Sequence, residues 1–188
     1  MAQEIEIEYK NLLTEKEFNQ LLYYLPFPPG GKIQTNYYFE TKDFALKNHK
    51  SALRIREKNG AWRLTLKEPQ KVGLLETHDL LTKQEAEAIV KGKLRFKGEV
   101  SQQLKKLNVS FEDLIYYGSL KTVRRETNYE GVLLVLDYST YNGTADYELE
   151  LEAATQPTGK RIFDALLEKY NIPERKTPNK IERFFSTL

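Results

Sequence analysis

From Glu4 to Lys10 the chain alternates strictly in kind. In an extended strand Glu4, Glu6, Glu8 and Lys10 share one face, and Ile5, Ile7 and Tyr9 share the other. The same period of two returns later with the charge sorted by strand. Ala52–Lys58 sets Leu53 and Ile55 against Arg54, Arg56 and Lys58, and Ala61–Lys67 sets Leu64 and Leu66 against Arg63, Thr65 and Lys67. Between these two runs stands Asn59-Gly60, a strong hairpin signal. Val72–Leu80 alternates Glu76 and His78 with Leu75 and Thr77, and Ala145–Ala153 opposes Glu148, Glu150 and Glu152 to Leu149 and Leu151. Further strands are expected at 34–41, 120–129 and 132–138, the last two joined by a turn at Glu130-Gly131.

Helical spacing interrupts these strands. Thr14-x-x-Glu17 and Thr82-x-x-Glu85 are capping boxes, followed by apolar positions at Phe18, Leu21, Leu22 and Leu25 and at Ala86, Ile89 and Val90. A helix capped by Ser101 is expected to carry Leu104 and Leu107, and a short helical piece to run from Ser110 to Ile115. A connection with a helical turn is expected at 43–51. Near the end, Ile162, Phe163, Leu166, Leu167 and Tyr170 mark a helix, and 179–185 a final helical turn. Amphipathic helices need an apolar sheet face to cover. If they cover Ile5, Ile7, Leu53, Ile55, Leu64, Leu66, Leu149 and Leu151, the charged faces point the other way. The expected fold is therefore α+β, an antiparallel β-barrel with a charged interior and helices outside.

Composition narrows the chemistry. The 188 residues suit a single domain, 1–188. A net charge of +2 argues against nucleic-acid binding by bulk charge, and the absence of cysteine excludes thiolate metal sites, cysteine nucleophiles and disulfides. The opening residues lack the basic-then-apolar pattern of a signal peptide, and no stretch reaches the ~20 apolar residues of a membrane span, so a cytoplasmic protein is expected. Same-sign neighbours across a sheet repel unless an ion of opposite sign lies among them. Lysine and arginine forks suit phosphate oxygens, and clustered carboxylates suit Mg²⁺ or Mn²⁺, so the two sets together describe a site for a metal-bound phosphate chain. His78 and most of the 12 tyrosines are read as structural, with Tyr37 a tyrosine that could contact substrate.

The residues also carry a family resemblance over nearly the whole chain. Glu6-Ile-Glu-Tyr-Lys10 resembles the E-x-E-x-K signature of the CYTH superfamily, the triphosphate tunnel metalloenzymes. Leu53-Arg-Ile-Arg56 resembles its paired arginines, Leu64-Thr-Leu-Lys67 its phosphate-binding lysine, and Glu76 the acidic residue of the next strand. Arg124, Asp137, Glu148-Leu-Glu-Leu-Glu152 and Lys180 follow in the family's order, most similar to its small bacterial YjbK-like branch, whose members are often labelled adenylate cyclases. The resemblance implies an eight-stranded antiparallel tunnel and divalent-metal chemistry on a triphosphate, either hydrolysis or cyclisation. It assigns catalysis to Lys10, Glu6 and Glu8, phosphate binding to Arg54, Arg56, Lys67, Arg124 and Lys180, and Mg²⁺ or Mn²⁺ to Glu6, Glu8 and the set Glu148, Glu150 and Glu152, the choice within that set left open. Glu4, Lys58, Arg63, Glu76, Asp137 and Arg183 are further candidates. The expected partner is a small triphosphate, with no nucleic acid and no membrane. Inorganic triphosphate hydrolysis leads, with class IV-type adenylate cyclase, thiamine triphosphatase and a non-catalytic polyphosphate or nucleotide sensor as alternatives.

Overall fold

The computed structural model describes residues 3–93 and 96–188. These form an α+β fold with nine strands and six α-helices among the described residues. The strands are β1 (Gln3–Glu6), β2 (Glu8–Leu13), β3 (Lys32–Thr41), β4 (Ala52–Lys58), β5 (Ala61–Pro69), β6 (Leu74–Leu81), β7 (Leu114–Tyr129), β8 (Val132–Tyr141) and β9 (Thr144–Glu152). The helices are α1 (Glu15–Tyr24), α2 (Ala45–Asn48), α3 (Lys83–Val90), α4 (Glu99–Lys106), α5 (Gln156–Lys169) and α6 (Lys180–Ser186), with a 3₁₀ turn at Phe111–Asp113. No helix among the described residues is long and apolar enough to cross a membrane. The chain divides into two compact units, residues 1–5 with 34–120 and residues 6–33 with 121–188.

In the first unit the strand order is β1-β6-β5-β4-β3, and β3/β4, β4/β5 and β5/β6 pair antiparallel. Asn59 and Gly60 take left-handed φ of 55° and 77°, the turn that the Asn-Gly pair allows at least cost. Leu53, Ile55, Leu64 and Leu66 are fully buried and pack with Ala86 and Ile89 of α3 and Val100 and Leu104 of α4. In the second unit the order is β7-β8-β9-β2, all pairs antiparallel. Leu134, Leu136, Leu149 and Leu151 pack there with Phe18 and Leu21 of α1 and Ile162, Phe163 and Leu166 of α5. Gly159 lets α5 lie flat on β2: a Cβ at that position would stand 2.6 Å from the Tyr9 ring.

Both capping boxes form as expected, at Thr14 and Thr82. Four local expectations change. The opening stretch is two strands rather than one, which raises the strand count from eight to nine, and Ile5 is exposed instead of joining the core. α4 begins at Glu99, so Ser101 lies inside it. Its first amides are capped by a distant carboxylate, with Glu99 N and Val100 N donating to Asp79 at 3.1 and 2.8 Å. Leu114 and Ile115 open β7, which runs sixteen residues, instead of closing a helix. Tyr37 packs on the apolar face near Trp62 and Tyr116, and its neighbour Tyr38 shares the polar face with Arg54.

Candidate functional site

Each unit thus has an apolar face under helices and an opposite face that carries its charges. On the first unit's polar face, Arg54 stands opposite Thr65 and Arg56 opposite Arg63 across β4/β5, and Lys67 faces Glu76 across β5/β6. Arg56 and Arg63 are like charges on directly opposed positions, an arrangement that repels unless an anion joins it. Arg63 is exposed, whereas Arg54, Arg56, Lys58 and Lys67 are half-buried. Arg56 Nε donates to Asn36 Oδ1 at 3.0 Å, and Arg54 Nε is buried with no hydrogen-bond partner. Lys67 Nζ lies 2.6 Å from Glu76 Oε1. The other Glu76 oxygen is 3.3 Å from His78 Nε2, which also meets Glu4 Oε1 at 2.9 Å, while His78 Nδ1 is 3.0 Å from Thr65 Oγ1. Glu4, Glu76 and His78 bring one ligand atom each within 4.8 Å of one another, a group that could hold a metal ion.

The second unit's polar face is built around β8 and β9. Asp137 is fully buried and faces Glu148 on β9 and Arg124 on β7. Arg124 grips Asp137 with two bonds, Nε to Oδ1 at 2.9 Å and Nη2 to Oδ2 at 2.6 Å, and reaches Glu150 at 2.7 Å. α6 lays its first turns over this cluster. Lys180 Nζ is 2.5 Å from Glu150, 2.9 Å from Asp137 and 3.3 Å from Glu148, while Arg183 bonds Asp146 and Glu148. Tyr141 donates to Asp146 at 2.6 Å. The helix is placed by its own capping box at Asn179, whose side chain also accepts from Lys10 Nζ. Lys10 Nζ additionally lies 3.1 Å from Glu8.

The electrostatics follow from this crowding. Burial alone would lower the Lys180 ammonium, but Asp137, Glu150 and Glu148 outweigh it and hold its pKa above the ordinary lysine value. Burial would raise Asp137 and Glu150, yet Arg124 and Lys180 hold both below the usual carboxylate range. Glu148 goes the other way. Burial pushes it up to about 7, the neighbouring Glu150 adds to the push, and Lys180 and Arg183 offset only part of it.

Glu148 and Glu150 are buried and bonded to cations, and Glu152 is half-buried and stands directly opposite Glu8 across β2/β9. Facing carboxylates have Cβ atoms roughly 5 Å apart and repel one another. Two facing carboxylates are the kind of oxygen donors that a divalent cation takes, while Glu148 Oε1, buried with no hydrogen-bond partner, lies four residues before Glu152 on β9. Glu6 closes β1 immediately before this strand.

The CYTH domain model matches residues 4–185. The chain belongs to the CYTH family. It is 47% identical over 186 residues, 98% of its length and 96% of its relative's, to a Bacillus subtilis protein named "Putative triphosphatase YjbK". A solved Bacillus halodurans structure described as a "putative adenylate cyclase" is 42% identical, with a TM-score of 0.94 over 98% of this chain and all of the other. HpAC1 from Hippeastrum, a "putative adenylyl cyclase" described as having a dominant triphosphatase activity, is 26% identical, with a TM-score of 0.78 over 97% and 96% of the two chains.

Several polar residues of this CYTH domain escaped the reading of its sequence. Asn36 and Gln34 lie on the polar face of β3, where the alternation Gln34, Asn36, Tyr38 against Thr35, Tyr37, Phe39 is the signal that marks them. His78, read from the sequence as structural, stands two residues from Glu76 and so on the same face, where it meets Glu76 and Glu4. Asp146 and Asn179 bond Arg183 and Lys10; the signals that mark them are the period-two run Asp146, Glu148, Glu150, Glu152 and the capping-box spacing Asn179-x-x-Glu182. Arg125 takes the other face of β7 from Arg124 and reaches Pro29 O at 3.5 Å.

Proposed function

We propose that this CYTH protein is a divalent-metal-dependent triphosphatase acting on inorganic triphosphate or a related organic triphosphate. The observation that carries the reading is the sorting of charge by sign on the polar faces of the strands. Directly opposed arginines lie on one such face and directly opposed glutamates on another. Grouped arginine and lysine side chains suit phosphate oxygens, and facing carboxylates suit a divalent cation, the two components of a metal triphosphate.

In the first unit Arg54, Arg56 and Lys67 are assigned to phosphate oxygens, with Lys58 and Arg63 as further cations of the same strands; in the second unit Arg124 and Lys180 are assigned to phosphate oxygens, with Arg183 as a further cation on the same carboxylate cluster. Glu6, Glu8 and Glu152, supported by Glu148 and Glu150, are assigned to Mg²⁺ or Mn²⁺. Such an ion, when bound, neutralises charge on the phosphate chain and acidifies a coordinated water. Lys10, bonded to Glu8 and Asn179, presents an ammonium beside these carboxylates and can stabilise charge developing on the attacked phosphoryl group. Arg124 and Lys180 are tied to Asp137 and Glu150 in the protein alone, so phosphate must compete with those carboxylates for them. Phosphoryl transfer asks mainly for positioning and charge stabilisation, which these groups supply without a protein nucleophile.

The test is phosphate release from purified protein given inorganic triphosphate, thiamine triphosphate and ATP with Mg²⁺ or Mn²⁺, with cyclic AMP assayed in the ATP reactions. Metal-dependent release without cyclic AMP is expected. Cyclic AMP with pyrophosphate would instead establish a cyclase, and neither product from any substrate would leave the phosphate-binding sensor.

A further inference from the structure

Two carboxamides on β3 are buried with incomplete hydrogen bonding. Gln34 is 1% exposed and neither its Nε2 nor its Oε1 has a partner; Asn36 is fully buried and its Nδ2 has none. Both lie on the polar face, Gln34 opposite Lys58 and Asn36 opposite Arg56. The bond from Arg56 Nε to Asn36 Oδ1 fixes that amide with its NH₂ group as the available end. Arg54 Nε is a third buried donor without a partner on the same face. Buried polar groups are seldom left in this state, and a ligand is one way to complete them.

The inventory of unmet groups discriminates among ligands. Three are donors, Asn36 Nδ2, Gln34 Nε2 and Arg54 Nε, and one, Gln34 Oε1, is an acceptor. An ionised phosphate chain offers acceptors only, so it can complete the donors and never Gln34 Oε1. That oxygen requires an N–H or O–H, and the adjacent Nε2 requires an acceptor beside it. A carboxamide meets such a paired edge with two parallel hydrogen bonds, as in its recognition of amino-heterocycles.

We infer that Gln34 determines specificity by reading the organic group of a triphosphate ester, one that carries an N–H or O–H donor next to an acceptor, while Asn36 and Arg54 take phosphate oxygens. This deepens the triphosphatase reading and rests on it. A sugar hydroxyl and an amino-heterocycle both have the required chemistry, and a nucleoside triphosphate contains each.

The experiment compares wild type with Gln34→Met, which keeps length and apolar bulk and removes both polar atoms. Its substrates are ATP, ribose 5-triphosphate, methyl triphosphate and inorganic triphosphate. The quantity read is the ratio of kcat/KM for each ester to that for inorganic triphosphate. For ATP it should fall about 10- to 100-fold in the variant, the discrimination expected when a paired buried amide is lost. A matching fall for ribose 5-triphosphate assigns the contact to the sugar, and a fall for ATP alone assigns it to the base. An unchanged ATP ratio, or an equal change for methyl triphosphate, overturns the inference. Should the variant fail to fold, calorimetry on wild type decides: ATP binding about tenfold or more tighter than methyl triphosphate supports it, and equal affinities overturn it. Failure of wild type to hydrolyse any of the four refutes the triphosphatase reading separately, because the calorimetric comparison needs no turnover.

Discussion

Replacing Glu148 by Gln should stabilise the metal-free protein above neutral pH. Around Glu148 the carboxylates of Asp137, Asp146, Glu148 and Glu150 meet the cations Arg124, Lys180 and Arg183, four acids against three bases. The excess falls on Glu148, whose carboxyl is pushed by burial from an ordinary 4.5 up to about 7. The folded protein therefore holds a proton that the unfolded chain has already released. Stability from this group is fully present below about pH 4.5, is lost as pH rises through 7, and stays lost above it. The shift of 2.5 units, 7 less 4.5, corresponds to roughly 3 kcal/mol at ~1.4 kcal/mol per unit, with coupling to Glu150 reducing what is observed. Glutamine resembles the protonated acid: its carbonyl still accepts from Arg183, and it never ionises. Urea unfolding in metal-free buffer should show wild type and Glu148→Gln within about 1 kcal/mol at pH 4.5, with the variant pulling ahead by up to ~3 kcal/mol at pH 8. A variant less stable than wild type at both ends, by a constant amount, would falsify the account, since it would mean that the ionised carboxylate is a net favourable partner of Lys180 and Arg183.

Other consequences test different layers of the protein. Glu8→Gln, which removes one carboxylate of the opposed Glu8/Glu152 pair, should cut metal-dependent phosphate release by at least 100-fold; retained turnover would move the metal ligands elsewhere. Arg175→Met severs two bonds to Glu17, at 2.8 and 2.9 Å, and one to Leu12 O at 2.8 Å, and should cost about 1–3 kcal/mol by chemical denaturation. Because Arg175 holds the Glu17 carboxyl below its ordinary 4.5, that contribution is present above pH ~4.5 and is lost as pH falls through the folded-state pKa, so the gap between wild type and variant should narrow in acid. A gap independent of pH would assign Arg175 to packing alone. Leu64→Ala, at a fully buried position against α3 and α4, should cost roughly 2–5 kcal/mol whether or not metal is present. A metal-dependent cost would instead tie this core to the polar face on its far side.

What the sequence disclosed, and what it hid, divides along the range of the interactions. Alternation is local, and it correctly sent Leu53, Ile55, Leu64, Leu66, Leu149 and Leu151 under the helices and Arg54, Arg56, Lys67 and the glutamates to the opposite faces. Capping boxes are equally local, and Thr14 and Thr82 start their helices where the four-residue pattern puts them. α4 starts elsewhere because its cap is Asp79, twenty residues upstream, which only β6 brings to it. Ser101 looked like the cap because its side chain suits one, yet in the fold its hydroxyl donates to Phe96 O. The break between β1 and β2 was invisible for a related reason. Alternation across Ile7 is unbroken, whereas the partner strand changes there: β1 lies beside β6, and β2 pairs β9, with Ala153 N donating to Ile7 O. The charged set obeys the same logic. Sequence could nominate Glu148, Glu150 and Glu152 but could not say what each faces: Asp137 for the first, Lys10 for the second and Glu8 for the third. Lys180 and Arg183 reach the first two members from a helix some thirty residues further on. Strand partners thus decide what each glutamate faces, and the Glu8/Glu152 opposition, two carboxylates on facing positions, is where a divalent cation is proposed to bind.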